Sequence, residues 1–231
     1  MKNKLFIFSI IALSIGCNNE KQDINKTTII STIKGLKDST FIILKTPKAS
    51  GFRNVDSTYV INESFNLSAT QKNTVGSLYY IDIKEEDKTL FSFKFWNDKN
   101  RVSIRGDFNK KEEISVENST LNSLIKDYDT IMRHYSNELT KIITTTKDAS
   151  KRDDAFTEAF RLIKEKQIDF LFKHPNNAFS LHEVFRFTKQ LSKDSLSLYY
   201  KSLNETLQET TKGQYIKEYF SATKIEIKKA R

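Results

Sequence analysis

The sequence predicts an α+β protein in which an N-terminal antiparallel β-sandwich precedes an α-helical bundle. Two changes in residue pattern lead to this prediction. Residues 27–117 contain short β-branched and aromatic runs with a two-residue period, which is typical of strands with one buried face. Residues 118–223 repeat apolar side chains every three or four positions, which is typical of amphipathic helices. We therefore expect two domains with these bounds.

Seven or eight short strands account for the first domain. They are predicted at residues 28–33, 40–44, 57–61, 64–68, 78–83, 90–95, 101–104 and 114–116. Asn62 and Glu63 separate two of these runs and predict a tight hairpin turn. Phe91, Phe93 and Phe95 alternate with polar residues, so the strand that carries them has one buried face. Short strands at this spacing favour a sandwich.

Four or five helices account for the second domain. An apolar stripe predicts a first helix that begins after Ser119 or Thr120 as N-cap. The remaining helices are predicted at residues 150–173, 177–191 and 194–208, followed by a last amphipathic segment. Pro175 is expected to stop the second helix, and Gly213 is expected to break the chain before the last segment.

The N-terminus has the pattern of a secretory signal. Lys2 and Lys4 precede the almost wholly apolar residues 5–15, and Cys17, the only cysteine of the chain, follows directly after a glycine. The apolar run is shorter than the ~20 residues that a membrane-spanning helix needs. We therefore predict lipid attachment to the Cys17 thiol, so that the mature protein has no free thiol.

These features divide the N-terminal region into residues 1–16, a lipoprotein signal peptide, and residues 17–26, a tether. An ordinary signal peptide with a nearby cysteine is the alternative, which Ser14 supports because lipoprotein signals prefer Leu or Val there. Neither residue after Cys17 is the Asp that favours retention in the inner membrane. The predicted location is therefore the outer membrane facing the periplasm, with surface exposure as an alternative. Residues 224–231 form a C-terminal tail.

Composition and scattered polar residues exclude several classes of function. The chain has 38 basic and 29 acidic side chains, a net charge of +9, but the basic residues are dispersed, so nucleic acid is not an expected partner. His134, His174 and His182 lack the helical spacing of a zinc pair, and His182 with Glu183 lacks a recognisable nucleophile. We predict no catalytic residues, no metal site and no cofactor.

The loop at residues 96–100 carries the one tryptophan of the chain, Trp96. An exposed Trp anchors sugars or protein partners, whereas a Trp at the end of a Phe-rich strand more often belongs to a core. A core position is therefore the first expectation for Trp96, which is also the one candidate binding residue of the chain.

Several short motifs resemble one family, the uncharacterised N-terminal domain of Bacteroidota lipoproteins related to TlpA-type thioredoxins. The motifs are Ile33-Lys34-Gly35-Leu36, Val55-Asp56-Ser57-Thr58 with Phe65, Val102-Ser103-Ile104-Arg105-Gly106-Asp107, Val116-Glu117-Asn118-Ser119, His174-Pro175-Asn176-Asn177-Ala178 and Lys212-Gly213-Gln214-Tyr215. The resemblance spans residues 27–223 and implies a small β domain followed by helices. Ser31 and Asn118 depart from it, because glycines are common at those positions.

In that family a thioredoxin domain with a Cys-x-x-Cys pair usually follows the helices. This sequence contains no such pair, so we expect no thiol–disulfide exchange from the chain itself. The predicted function is a non-catalytic, membrane-anchored binding module with a periplasmic protein partner, for which a thioredoxin-like protein is one candidate. Two alternatives are the docking part of a thioredoxin-like reductase whose catalytic domain is separate, and capture of a ligand or glycan at the cell surface.

Overall fold

The computed structural model describes residues 26–70 and 76–222. Within these ranges eight strands are followed by six α-helices. The strands are β1 (Lys26–Lys34), β2 (Phe41–Pro47), β3 (Phe52–Tyr59), β4 (Ser64–Thr70), β5 (Ser77–Glu85), β6 (Lys88–Asn97), β7 (Arg101–Asp107) and β8 (Lys110–Glu117). The helices are α1 (Thr120–Thr145), α2 (Ala149–Lys173), α3 (Ala178–Phe187), α4 (Lys193–Ser202), α5 (Glu205–Gln208) and α6 (Thr211–Ser221). A strand-rich first part and a helical second part are thus confirmed.

The strands form two four-stranded sheets, one in the order β4-β1-β7-β8 and the other in the order β3-β2-β5-β6. Five of the six strand pairs are antiparallel, but β1 and β7 run parallel, with Ile29 opposite Val102. The prediction of an entirely antiparallel arrangement is therefore wrong for this pair. The reason is topological: β7 follows β6 of the other sheet, so no hairpin with β1 sets its direction.

One hydrophobic core joins side chains from both sheets. Ile29 and Leu67 of the first sheet and Ile42 and Ile81 of the second are almost completely buried in it. Buried and less buried residues alternate along β1 and β4, as the two-residue period predicts. Each such buried aliphatic side chain contributes about 1.5–3 kcal/mol relative to an exposed one.

The turn between β3 and β4 has the predicted tight hairpin geometry over residues 61–64, but the prediction that the flanking strands pair is wrong, because β3 and β4 belong to different sheets. Asn62 and Glu63 have φ angles of 51° and 58°, and Ile61 pairs with Ser64 across the turn. Two consecutive positive φ angles define the turn type that matches the twist of a two-residue hairpin. The Glu63 carboxylate also accepts a hydrogen bond of 2.7 Å from the backbone N–H of Gly35, which joins this hairpin to the end of β1.

Helices α1 and α2 form a long antiparallel hairpin. Ser119 caps α1 by accepting a hydrogen bond from the backbone N–H of Asn122, and α2 ends two residues before Pro175, as predicted. The buried residues of the pair are Leu121, Tyr128 and Leu171. All three lie at the end of the hairpin nearest to the remaining helices.

Two details of the predicted helices are wrong. The segment predicted as one helix over residues 194–208 is split, because Leu203 has an extended backbone and Asn204 caps the separate helix α5. Gly213 does not break the chain but lies inside α6. A Cβ at Gly213 would lie 2.3 Å from the carbonyl oxygen of Leu207, so close approach of two backbone segments explains this glycine.

The helices share a second hydrophobic core, which includes Phe179, Leu196, Tyr199 and Ile216. One strand residue, Trp96 of β6, belongs to it, so the two cores meet at the end of that strand. In the ranges that the structure describes, no helix is long and apolar enough to cross a lipid bilayer.

Candidate functional site

Trp96 lies at the junction of the sheets and the helices. Both faces of β6 are buried there: Phe95 points into the sheet core, and Trp96 points into the helical core with 8% of its surface exposed. The Trp96 ring packs edge-on against Phe179, with 6.2 Å between ring centroids. This placement matches the expected core position, while a binding role for Trp96 stays a prediction.

Asn122 of α1 joins the helix to the backbone of Trp96. Its side-chain oxygen accepts a hydrogen bond of 3.0 Å from the Trp96 N–H, and its amide nitrogen donates one of 2.6 Å to the Trp96 carbonyl. The same nitrogen donates to the Ser119 hydroxyl at 2.7 Å. One side chain thus satisfies both backbone groups of a residue at the end of a strand.

Asp98 fixes the loop after β6 at the beginning of α1. Its carboxylate accepts a hydrogen bond of 2.9 Å from the Ser119 hydroxyl and one of 3.2 Å from the backbone N–H of Leu121. A carboxylate at a helix N-terminus is stabilised by the helix dipole. Asp98, in the loop at residues 96–100, therefore has a structural role.

Basic side chains from three elements surround the Trp96 ring. Lys94 lies two residues earlier on the same face of β6. The His182 ring of α3 packs against Trp96, with 5.6 Å between ring centroids, and Arg186 follows one turn later. Lys212, the second residue of α6, is half-buried.

Burial is the main influence on the pKa values of His182 and Lys212. Burial lowers the pKa of His182 to about 4, and the positive charges of Lys212, Arg186 and Lys94 act in the same direction. Burial also lowers the pKa of Lys212 from its usual value. His182 is therefore neutral at pH 7 and a weak base, which argues against a role as general base. Arg186 is paired with Glu183 at 2.9 Å.

A cleft of about 430 Å³ opens beside this cluster. Trp96, Ala178, Lys212 and Glu209 are among its lining residues. It is concave and mixed in polarity, and it lies where two structural layers meet, which are common properties of ligand sites. Lys212 and Glu209 are the charged side chains among its lining residues that the structure describes.

A second cleft of about 640 Å³ adjoins the first at Thr206 and Leu207. Although larger, it is lined by amides that already have partners. Asn177 accepts a hydrogen bond from the backbone N–H of Ser180, and Asn204 accepts one from that of Leu207. These amides cap helices, so we regard the smaller cleft as the better candidate site.

The other residues considered in the sequence are not part of this site. His134 is exposed on α1, and His174 is the C-terminal cap of α2. Over residues 26–70 and 76–222, no three His, Cys, Asp or Glu side chains are grouped to hold a metal ion. Cys17, with the predicted signal peptide, and the predicted tail at residues 224–231 lie outside the described residues.

Comparison of the chain with models of protein families and with curated proteins finds no match. The resemblance noted in the sequence therefore stays a prediction. Sequence reasoning identified Trp96 but missed Lys94 and Lys212 as its neighbours. The two-residue spacing of Lys94 and Trp96 indicates that they share a strand face, whereas only the packing of α6 brings Lys212 to the same place.

Proposed function

We propose that this chain is a lipid-anchored, non-catalytic binding module at the periplasmic face of the outer membrane. In this proposal residues 1–16 are the signal peptide, Cys17 carries the lipid, and residues 17–26 connect it to the folded part. We also propose that the two sheets form a β-sandwich and that the helices complete a bundle at the end of β6. The shared core of the sheets and the second core of the helices support this arrangement.

The ligand that we propose is an acidic segment of a periplasmic protein. The observation that carries the proposal is a cleft lined by Trp96 and Lys212, with His182 packed against the Trp96 ring and Lys94 on the same strand face. Ammonium groups attract carboxylates, and the exposed edge of an indole ring provides apolar contact area. Among the cleft-lining residues that the structure describes, Lys212 and Glu209 are the charged ones, and Lys94 on the same face of β6 as Trp96 adds a positive charge nearby.

Two other interpretations make different predictions for the same cleft. If the chain docks a separate thioredoxin-like reductase, that protein must present the acidic segment. If the chain captures glycans, Trp96 would stack on a sugar ring, and binding would depend little on the charge of Lys212.

The experiment uses Trp96 fluorescence, because Trp96 is the only tryptophan in the chain. The full chain with Cys17→Ser is titrated with a peptide of alternating Glu and Leu, with a peptide of alternating Lys and Leu, and with neutral oligosaccharides. We expect a saturable change with the acidic peptide only. The affinity should fall as salt increases, because salt screens exposed charges.

Lys212→Glu is expected to weaken binding of the acidic peptide by at least about tenfold, because it replaces an attraction with a repulsion. Lys217→Glu is the matched control, since Lys217 is exposed and lies five residues later on the same helix. An equal loss in both variants would show that only net charge matters. A response to oligosaccharides but not to the acidic peptide would contradict the proposal and favour glycan binding.

The proposed lipid anchor has its own test. Cys17→Ser should move the protein from the membrane fraction to the soluble fraction, because two or three acyl chains hold a protein firmly and their loss removes the anchor. Asn18→Ser, which changes the neighbouring residue, should leave the protein in the membrane fraction. An unchanged distribution of the Cys17→Ser protein, measured by immunoblotting after ultracentrifugation, would refute lipid anchoring.

A further inference from the structure

The outer part of the α1–α2 hairpin exposes several large apolar side chains. Between residues 129 and 170, all of which the structure describes, no side chain is fully buried. Phe156 and Phe160 stack on each other at 6.1 Å between ring centroids and are 40% and 57% exposed. Ile143 near the hairpin tip is 41% exposed.

Phe160 belongs to the same side of α2 as the buried residue Leu171. The two are eleven residues apart, which is three turns and an angular difference of about 20°. Leu171 is completely buried in the helical core, whereas Phe160 faces solvent. The two differ in exposure because α3, which packs on α2, is too short to cover all of it. Helix α3 has 10 residues and spans about 15 Å, while the 25 residues of α2 span about 38 Å.

We propose that a second copy of this chain covers the outer part of the hairpin, so that two hairpins form a four-helix interface. Two antiparallel helices shield only the row between them, and four helices are the common arrangement that buries wider apolar faces. A face that pairs with its own copy through a two-fold axis also needs no other partner to close the assembly.

Charge and size support a second copy as the occupant. Residues 133–160 contain five basic and five acidic side chains, a net charge of zero in a chain of net charge +9. Two such faces approach without net repulsion, whereas an anionic lipid surface would favour a basic face. The uncovered part is about 25 Å long and about 20 Å wide, so two copies bury roughly 1,000 Å², the lower limit for a specific interface.

A buried interface area of this size predicts a reversible dimer rather than an obligate one. Sedimentation velocity of the full chain with Cys17→Ser, in which no lipid can cause association, tests the proposal. The mass should rise from one chain to two as concentration increases up to about 100 μM. Phe160→Asp should raise the dissociation constant at least about a hundredfold, because a symmetric dimer contains the residue twice. Phe156→Asp should act in the same direction.

Tyr59→Asp is the control, since Tyr59 is an aromatic residue of β3 with a similar exposed fraction, 59%. It should leave the dissociation constant unchanged. A monomer at every concentration would overturn the proposal, as would a dimer that Phe160→Asp and Tyr59→Asp weaken equally. The hairpin does not contribute to the cleft beside Trp96, so this result is independent of the peptide titration.

Discussion

Replacement of Asn122 by alanine should uncouple α1 from the end of β6. The substitution removes three hydrogen bonds in a partly buried site, two to the backbone of Trp96 and one to the Ser119 hydroxyl. Each contributes a net ~0.5–1.5 kcal/mol, and the higher helix propensity of Ala returns about 0.5 kcal/mol. The free energy of unfolding should therefore fall by about 2–3 kcal/mol.

Asn137→Ala is the matched control for this experiment. Asn137 is exposed on the same helix, about four turns further along, so its replacement reports the propensity gain alone. Urea unfolding followed by circular dichroism gives both free energies, and Trp96 fluorescence should shift to longer wavelength only in Asn122→Ala. A difference between the two variants of less than about 0.5 kcal/mol would refute the reasoning, because it would mean that the three hydrogen bonds contribute nothing net.

Two further predictions concern Gly213 and His182. Gly213→Ala should lower the free energy of unfolding by about 2 kcal/mol, because the new Cβ would overlap the carbonyl oxygen of Leu207. Gly51→Ala is the control: no atom lies near its Cβ, so its positive φ alone should lower the free energy of unfolding by about 1 kcal/mol. Equal losses of the two variants in urea titrations would contradict the close approach at Gly213. The pKa of His182 is about 4 in the folded protein against 6.5 for a free histidine, so the unfolded chain binds more protons between these values and stability falls as pH decreases from 6.5 towards 4. Allowing for solvent screening of this partly exposed group, His182→Gln should remove about 1 kcal/mol of the loss in stability between about pH 7 and about pH 4.5. A pH profile of stability identical to that of the unchanged protein would count against a buried imidazole.

Features that depend on neighbouring residues were predictable from the sequence. The β-branched and aromatic runs indicated all eight strands, although the predicted and observed bounds of β3 share only residues 57–59. Asn62 and Glu63 marked the hairpin turn, and Ser119 marked the beginning of α1, since turn and cap preferences act over a few residues. The division of residues 194–208 also had a local signal, because Asn204 is a favourable N-cap.

The candidate site was predictable only in part. Trp96 is conspicuous as the single tryptophan, and Lys94 shares its strand face. His182 and Lys212 lie 86 and 116 positions further along the chain, and no periodicity specifies that α3 and α6 pack beside β6. The low pKa of His182 follows from that packing, since burial and nearby charges both depend on residues distant in sequence.

The sequence by itself determined the order of strands and helices, most of their bounds, and the signal-like segment before Cys17, because each depends on residues close together in the chain. The tertiary structure alone decided that β1 and β7 are parallel and that Gly213 fits inside a helix. It also decided that Phe160 faces solvent although Leu171, on the same side of α2, is buried. A hydrophobic period specifies which face of an element is apolar, whereas the lengths and positions of distant elements specify what covers that face.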